Sequence, residues 1–424
     1  MDSIILFLMF FLLIFMAVPI GYAIGISTFL AMVFFSNIPL AMIAQNAVTG
    51  VDSFPLMAIP FFILAGGLMS VGGVAKRIVD VSNLLFGRFT GGLGAVTTMA
   101  SMFFAAISGS AMATVSSIGG FMIPGMEEKG YDKAYSAALA AAAGTIGVII
   151  PPSIPFVLYG VVVGASISDL FKAGFLPGIL MGIALMIANY FRSKKFGYKG
   201  EPVRYSTKEF LMIILDAIPA LLTPAIILGG IYLGIFTPTE AAVVACVYAS
   251  LVSVFYYREI TWTGMYNALK ESMITNGLTI FMVGFSTVFA SYLAMAQIPT
   301  KIAAGILSIT DNKILLLLII NLFLLVVGSF IDNIPATIIL APILLPIVTQ
   351  LGMSVTTFGI VLTMNLAIGF VTPPYGINLF VACSVAKVKM EPMVKHLIWF
   401  ILALLIVLAI TTYVPWLTMF PLGG

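Results

Sequence analysis

The sequence predicts an all-α polytopic membrane protein built as an inverted repeat, and three observations support that fold class. Of its 424 residues, 61% are hydrophobic and only 8% are charged, which is typical of a chain that lies mostly within a bilayer. Stretches without a charged residue, such as 3–51, are longer than the roughly 20 apolar residues that one helical span needs. A Gly-x-x-x-Pro-Pro motif begins at Gly147 and again at Gly369, and this spacing of 222 residues indicates a duplicated unit.

Five crossings are predicted in each half of the chain. The predicted spans of the first half are 3–17, 19–36, 54–72, 131–166 and 172–191. Those of the second half are 211–234, 238–257, 275–294, 356–386 and 393–416. Because the number of crossings in each half is odd, the second copy is predicted to lie upside down relative to the first, with the repeats over 1–200 and 201–424.

An extra apolar pair lies between the third and fourth crossing of each half. These pairs, 93–126 and 313–350, have a polar or Gly/Pro break near the middle, and we predict that each is a re-entrant hairpin. The crossings 131–166 and 356–386 each contain a diproline, which removes two backbone donors, so both are predicted to be broken helices. Non-helical backbone at membrane depth is tolerated only where it is buried in protein or lines a watery cavity. We therefore expect the breaks to face a common site.

The basic residues test this order of crossings. Sixteen of the 19 Lys and Arg residues, Arg204 among them, fall on one predicted side, and only Lys172, Lys301 and Lys313 fall on the other. Basic residues collect in cytoplasmic loops. The loop 192–209 is therefore predicted to be cytoplasmic, and both chain termini are predicted to lie outside.

The hairpin tips carry the first candidate site residues. Ser108-Gly109-Ser110 offers hydroxyls and freed carbonyls, which are hard oxygen donors suited to Na⁺, although such small residues also serve helix packing in lipid. The matching break of the second half contains Asp332 and Asn333. An acid at membrane depth is by default a functional candidate. Ion coordination and hairpin locking are the functional interpretations of Asp332, and a salt bridge or a helix cap is the structural one.

The two diprolines carry the second set of candidates. Pro151-Pro152 and Pro373-Pro374 leave the carbonyls of the preceding turn without donors, and a plain proline kink explains either motif alone but not both in register. Facing the hairpin tips, these carbonyls would complete twin oxygen cages, which predicts at least two cation sites. The helices that follow present positive ends to an anionic substrate. The predicted substrate-binding residues are Ser153, Tyr375, Asn378 and Thr145.

Other classes of protein find little support in the sequence. Cys246 and Cys383 both lie in apolar segments, so no disulfide framework is predicted. Basic residues are scattered over short loops, which argues against nucleic-acid binding. We find no phosphate-binding loop, no His/Cys cluster and no nucleophile with a base nearby, so we predict that the protein is not an enzyme. Glu240 is predicted to belong to a helix start.

With these motifs in place, the chain resembles the large membrane subunit of the tripartite ATP-independent periplasmic (TRAP) transporters. The resemblance runs over nearly the whole length and rests on the segment 59–66 (IPFFILAG), the Ser108-Gly109-Ser110 hairpin, both diprolines and the segment 237–241 (TPTEA). It implies an elevator-type carrier, similar to the ion transporter superfamily, in the bacterial inner membrane. In that membrane, the termini that the basic residues place outside would be periplasmic. A small four-helix membrane subunit, expected as a separate chain because no fused copy is seen, and a periplasmic substrate-binding protein are the implied partners.

The resemblance also implies where Na⁺ and substrate bind. Na⁺ is expected between each hairpin tip and the facing unwound stretch, and the two hairpins with the two broken helices are expected to form a mobile transport domain. The implied Na⁺ ligands are Ser108, Ser110, Gly144 and Gly147 at one site, and Asp332, Asn333, Gly369 and Thr372 at the other. The expected substrate is an organic acid, with sialic acid favoured and a C4-dicarboxylate next. The alternatives are a Na⁺-coupled carboxylate carrier that acts without a binding protein and an ion channel.

Overall fold

The structure, a computed structural model, describes residues 2–16, 18–36, 38–200, 205–307 and 312–423. All regular structure in these residues is helical, which confirms the predicted all-α fold class. Arg204 and the predicted boundary between the repeats at 200/201 fall on or beside the segment 201–204, which lies outside the described residues.

The helices of the first half follow one another with short connections, and 3₁₀ turns occur at Phe54–Met57 and Thr145–Val148. They are α1 (Asp2–Phe15), α2 (Ile20–Phe35), α3 (Ala41–Thr49), α4 (Ala58–Val71), α5 (Val74–Phe86), α6 (Gly92–Ser108), α7 (Ala111–Glu128), α8 (Lys133–Gly144), α9 (Ile154–Val163) and α10 (Ile167–Phe196).

The second half repeats much of this order, with a π-helical turn at Val252–Tyr256 and a 3₁₀ turn at Phe420–Leu422. Its helices are α11 (Thr207–Tyr232), α12 (Pro238–Leu251), α13 (Trp262–Met295), α14 (Ile298–Leu307), α15 (Lys313–Phe330), α16 (Asn333–Gln350), α17 (Val355–Gly369), α18 (Ile377–Ala386), α19 (Met390–Tyr413) and α20 (Trp416–Met419).

Side-chain caps explain where several of these helices begin. A short polar side chain at a helix start accepts a hydrogen bond from an otherwise unpaired amide of the first turn. Asp132 caps α8 in this way, Ser354 caps α17, and Ser166 caps α10. At the start of α12, Thr237 and Glu240 form a reciprocal capping box, which confirms the prediction that Glu240 belongs to a helix start.

Corresponding helices of the two halves begin at the same 222-residue spacing as the diproline motifs. α7 begins at Ala111 and α16 at Asn333, and α8 begins at Lys133 and α17 at Val355, so both pairs lie 222 residues apart. The predicted pairs 93–126 and 313–350 form helix-turn-helix units (α6–α7 and α15–α16), and 131–166 and 356–386 form interrupted helices (α8–α9 and α17–α18). How the two halves are oriented in a membrane stays a prediction.

Three features differ from the sequence prediction. α3 and α14 were not predicted. Residues 262–274, which precede the predicted crossing 275–294, join that crossing in one continuous helix of 34 residues, α13. No proline interrupts this segment, and its interior glycines, Gly277 and Gly284, are each tolerated within a helix at a modest cost of about 1 kcal/mol.

The chain is a multi-span membrane protein. In the described part, eight helices are long and apolar enough to cross a bilayer, among them α10, α11, α13 and α19. The most buried stretch is continuous: every residue of 134–160, from α8 through the first diproline to α9, is buried. α8 packs against α6, α7, α18 and α19, so the first interrupted helix occupies the centre of the molecule.

Candidate functional site at the two helix breaks

The tip of the first hairpin is a cluster of oxygen atoms. Gly109 joins α6 to α7 with a φ of 61°, in the left-handed region that favours glycine. Ser110 caps α7 by accepting a hydrogen bond from the Ala113 amide, and Thr114 Oγ1 donates to the Ser110 carbonyl oxygen at 2.8 Å. The Ser108 hydroxyl lies 3.3 Å from Thr114 Oγ1 and 3.5 Å from the Ser110 carbonyl oxygen. Two hydroxyls and a carbonyl therefore meet at the tip.

The first diproline break contacts this tip directly. The Ile154 amide donates to the Gly109 carbonyl at 3.3 Å. Gly147 approaches so closely that a Cβ there would lie 2.6 Å from both the Ser110 carbonyl oxygen and Thr114 Oγ1. Only glycine fits at this distance, because Cβ atoms essentially never come within 3.0 Å of such neighbours. The predicted meeting of hairpin tip and break is present in the first half.

The hydroxyl groups of Thr145 and Ser153 in the first break donate hydrogen bonds to backbone carbonyls of the same segment. A Cβ on Gly144 would overlap the Val115 side chain of α7. Thr145 Oγ1 donates to the Ala142 carbonyl at 2.7 Å, and Ser153 Oγ donates to the Val148 carbonyl at 2.6 Å. The Pro151-Pro152 peptide bond is cis, as is that of Pro373-Pro374 in the second half.

The second hairpin and the second break also meet, at a glycine pair. A Cβ on Gly369 would lie 2.6 Å from the Cα and the carbonyl oxygen of Gly328, so α15 and α17 cross with their backbones in contact. Past the break, the Gly376 amide donates to the Ser329 carbonyl at 3.4 Å. Thr372 Oγ1 donates to the Ile368 carbonyl at 2.8 Å.

Asp332 and Asn333 lie at the start of α16. The Asp332 carboxylate accepts a hydrogen bond from the Asn333 amide at 2.6 Å and caps the helix, as its structural interpretation predicted. Asp332 makes no salt bridge with any described residue. Asn333 Oδ1 accepts from Thr337, whereas its buried Nδ2 group has no hydrogen-bond partner within the described chain. An unpaired buried donor is costly, which favours a ligand at this position.

A chain of buried amides supports the second break from behind. Asn321 Nδ2 donates to Thr412 Oγ1 at 3.0 Å, and Asn365 Nδ2 donates to Asn321 Oδ1 at 2.9 Å, which links α19, α15 and α17. Asn365 precedes Gly369 by about one helical turn. The first half has Ala143 at the position that corresponds to Asn365.

Both hairpin tips open onto one cavity of about 800 Å³. Its walls include the two tips, α4 from Ile63 to Val71, and α13 from Gly264 to Met282. Ser108, Ser110, Asp332 and Asn333 all line it, so the structure brings predicted site residues of the two halves to the same space. The cavity size suits a small organic ligand.

The four predicted substrate-binding residues do not line this cavity. Ser153 and Thr145 are fully buried and bonded to their own backbone, as described above. Asn378 donates from Nδ2 to the Ala141 carbonyl of α8 at 3.2 Å and is also buried. Tyr375 is 58% exposed and packs against Phe330 and Phe380 on the outer surface. A substrate role for these four residues stays a prediction.

Sequence reasoning missed two parts of the site. Thr114 completes the oxygen cluster of the first tip, one helical turn after Ser110. On α13, polar residues recur at intervals of four, at Asn267, Glu271, Thr275 and Thr279, and all four line the cavity. This spacing places them on one face of a helix and was the available signal. The predicted crossing begins only at residue 275, so the first two of these polar residues fall outside it.

Comparison with known proteins identifies the family. The family described as "Tripartite ATP-independent periplasmic transporter, DctM component" matches residues 7–417. The chain belongs to this family. A DctM component is the large permease of a TRAP transporter, so the predicted resemblance is confirmed, and the relatives are permeases rather than enzymes.

Relatives of this DctM component are named for several different organic acids. The isethionate TRAP transporter permease of Oleidesulfovibrio alaskensis is 46% identical over 99% of this chain, which spans 66% of that relative's length. The sialic acid large permease SiaM of Vibrio cholerae is 38% identical over 96% of this chain and 95% of its own. The C4-dicarboxylate large permease DctM of Pseudomonas aeruginosa is 38% identical over 93% and 92%.

A solved structure supports the fold. The YdaH transporter of Alcanivorax borkumensis superposes with a TM-score of 0.62 over 90% of this chain and 88% of that protein. At 15% sequence identity, this likeness concerns the fold alone.

Proposed function

We propose that this chain is the large membrane subunit of a Na⁺-coupled importer of an organic acid in the bacterial inner membrane. The observation that carries the proposal is the meeting of a hairpin tip with a helix break, twice, beside one cavity. Broken helices that present unpaired carbonyls and dipole ends are the usual cation and anion sites of secondary transporters.

The donor atoms at the first tip suit Na⁺. Two hydroxyl oxygens and a carbonyl oxygen lie within 3.5 Å of one another, and the absence of a side chain at Gly147 keeps the space beside them open. This ion would be held by Ser108, Ser110, Gly144 and Gly147. Thr114, whose hydroxyl lies beside those of the tip, would be a further ligand. Bound Na⁺ supplies positive charge beside which an anionic substrate binds. In the second half, Asp332, Asn333, Gly369 and Thr372 would hold a second ion.

The transport step in this proposal is a movement of the hairpins and interrupted helices against the remaining helices. α4 and α13 form the opposite wall of the cavity; α4 packs against α12 and α13 packs against α2, which supports their assignment to the static part. The contact between α4 and the first tip is made by small groups: a Cβ on Gly66 would lie 3.1 Å from Ser108 Cβ. Small residues at a helix contact permit close approach and sliding.

The partners and substrate follow from the family. A small membrane subunit and a periplasmic substrate-binding protein would complete the transporter, with the binding protein selecting the acid. The isethionate, sialic acid and C4-dicarboxylate relatives make a small organic acid the proposed substrate class. In the proposed orientation, the loop 192–209 is cytoplasmic and the termini are periplasmic.

Uptake into liposomes tests the coupling. The complete complex is reconstituted, and entry of labelled acid is compared with external Na⁺ and with K⁺ at equal ionic strength. We expect uptake only with Na⁺, and faster uptake at an inside-negative potential, which contributes about 2.3 kcal/mol per net positive charge per 100 mV. Equal uptake in K⁺ would show that the coupling is wrong.

A matched pair of variants ties the coupling to the first site. Gly147→Ala places a methyl group 2.6 Å from the Ser110 carbonyl oxygen and Thr114 Oγ1, and we expect Na⁺-driven uptake to be lost. Gly120→Ala on α7 is the control, because a Cβ there has no neighbour within 4 Å. If the two variants transported equally well, the assignment of Na⁺ to this tip would be wrong.

A further inference from the structure

The cavity wall is acidic on both sides. Asp332 lines it at the second hairpin tip, and Glu271 lines it from α13. Among the described residues that form the wall there is no Lys, Arg or His. An anionic substrate therefore meets no basic side chain in the cavity, and acidic side chains line it at two places.

Glu271 lies level with the first hairpin tip. The glycine pair Gly66-Gly67 of α4 lies between the two elements: a Cβ on Gly66 would lie 3.1 Å from Ser108 Cβ, and one on Gly67 would lie 3.3 Å from Ser272 Oγ. Glu271 is the neighbour of that serine. Across the cavity from the proposed ion sites, α13 therefore presents Glu271 between Asn267 and Thr275, one turn away on either side.

The Glu271 carboxylate has no salt-bridge partner within the described part of the chain. It is an exposed side chain on the cavity wall, and a carboxylate accepts hydrogen bonds but donates none. A second carboxylate of a bound substrate would face a like charge here, whereas a hydroxyl or ammonium group would find an acceptor. Like charges brought together disfavour the wrong partner and so determine specificity.

We propose that Glu271 is a specificity-determining residue that restricts the transported acid to one negative charge and a hydrogen-bond-donating tail. The inference rests on the proposed function, because it places the single acid group of the substrate at the hairpin tips. The tail, with its hydroxyl or ammonium group, extends across the cavity to Asn267, Glu271 and Thr275. Hydroxy-sulfonates and hydroxylated monocarboxylates belong to this class, and C4-dicarboxylates do not.

Binding to the purified membrane complex tests the inference without the binding protein, whose own selectivity would mask it. The complex of this chain and its small subunit, in detergent with Na⁺, is titrated calorimetrically with two matched pairs of acids. The pairs are 2-hydroxyethanesulfonate with sulfoacetate, and 4-hydroxybutanoate with succinate; the members of each pair differ only in a terminal CH₂OH or carboxylate. We expect the hydroxy acid of each pair to bind about tenfold more tightly or better.

Substitutions then assign the preference to the residue. Glu271→Gln is expected to bring the ratio of dissociation constants to within about threefold of one, since the repulsion is removed and the amide still hydrogen bonds. Glu271→Asp keeps the charge and should keep the preference, and Glu128→Gln, at the exposed end of α7, is the control for loss of a carboxylate elsewhere. Each variant is first checked for monodispersity by size exclusion. If Glu271→Gln does not fold, the ratios of dissociation constants measured for the wild-type complex still test the proposal.

The outcomes separate the two proposals. If the diacid of each pair binds wild-type complex as tightly as the hydroxy acid, or if Glu271→Gln leaves the ratio unchanged, Glu271 does not select the substrate and the proposed function stands. If none of the four acids nor a sialic acid binds in Na⁺, the organic-acid function itself is wrong.

Discussion

The two interrupted helices share one motif but differ in how they are covered. Their common register pairs Ser153 with Tyr375 and Leu158 with Phe380. In the first half both positions are fully buried, whereas in the second half Tyr375 is 58% and Phe380 is 50% exposed. The diproline alone therefore does not decide whether a break is sealed inside the protein or lies at its surface.

The helix that follows each break accounts for this difference. On α10, a stripe of glycines permits close approach to the first break: a Cβ on Gly174 would overlap Phe156, and one on Gly178 would overlap Ile150. The corresponding positions of α19 carry the larger residues His396 and Phe400. α19 packs against α8 and α17 instead, where the Phe400 ring contacts that of Tyr135. The second break is left uncovered on its outer side.

Truncation at one corresponding pair tests the difference in burial and has the largest expected effect. Leu158→Ala should destabilise the protein by about 2–5 kcal/mol, because it leaves a cavity in a packed core. Phe380→Ala should cost less than about 1 kcal/mol, because half of that side chain is already exposed. Thermal unfolding in detergent measures both. Equal losses at the two positions would mean that the second break is covered in the folded protein.

Gly369→Ala tests the close crossing of the second half. A Cβ here would overlap the backbone of Gly328, which cannot change rotamer as a side chain can. Overpacking of this kind destabilises a protein by about 1–3 kcal/mol. Gly277→Ala on α13 is the control, since nothing lies within 4 Å of the added carbon. A melting temperature for Gly369→Ala equal to that of the control would contradict the observed contact.

Asn365→Leu tests whether the amide chain behind the second break stabilises it. The substitution leaves buried Asn321 Oδ1 without its donor, and the expected loss is about 1–3 kcal/mol. The double variant Asn321→Leu/Asn365→Leu removes both groups and should lose less than the sum of the single variants. Strict additivity in denaturation experiments would show that the two amides do not act together.

Thr114→Val tests the proposed ion site of the first half and has the smallest expected effect. It removes one oxygen of the first tip, and we expect the Na⁺ concentration for half-maximal uptake to rise about fivefold. A change of this size corresponds to the net free energy of about one hydrogen bond. Thr114→Ser retains the oxygen and should behave as wild type. Thr372→Val is the matched change at the second break. If only Thr372→Val altered the Na⁺ dependence, the buried first site would not be an ion site.

The sequence predicts the hairpins and breaks well because their signals are local. Proline and glycine interrupt a helix wherever the rest of the chain lies, so the turn at Ser108-Gly109-Ser110 and both diprolines fall where expected. The meeting of Gly147 with Ser110 follows from the paired motifs.

What the sequence does not reveal depends on contacts between distant segments. The burial of Ser153 and the exposure of Tyr375 are set by α10 and α19, and in the sequence both segments are simply apolar enough to span a bilayer. The polar face of α13 was visible as a period of four, but Lys270 and Glu271 marked an apparent membrane boundary. The structure carries the helix through that boundary, and the polar residues face a cavity that only the folded chain creates.

The length of α13 has a consequence for the surrounding lipid. Its 34 residues extend about 51 Å, well beyond the roughly 30 Å of a hydrocarbon layer, and tilting within the usual range does not absorb the excess. At least one end must project into water, and Trp262 and Tyr266, both largely exposed, suit the headgroup region. The depth at which the cavity-lining face of α13 lies therefore depends on where the bilayer surface meets the helix, and we expect it to respond to acyl-chain length.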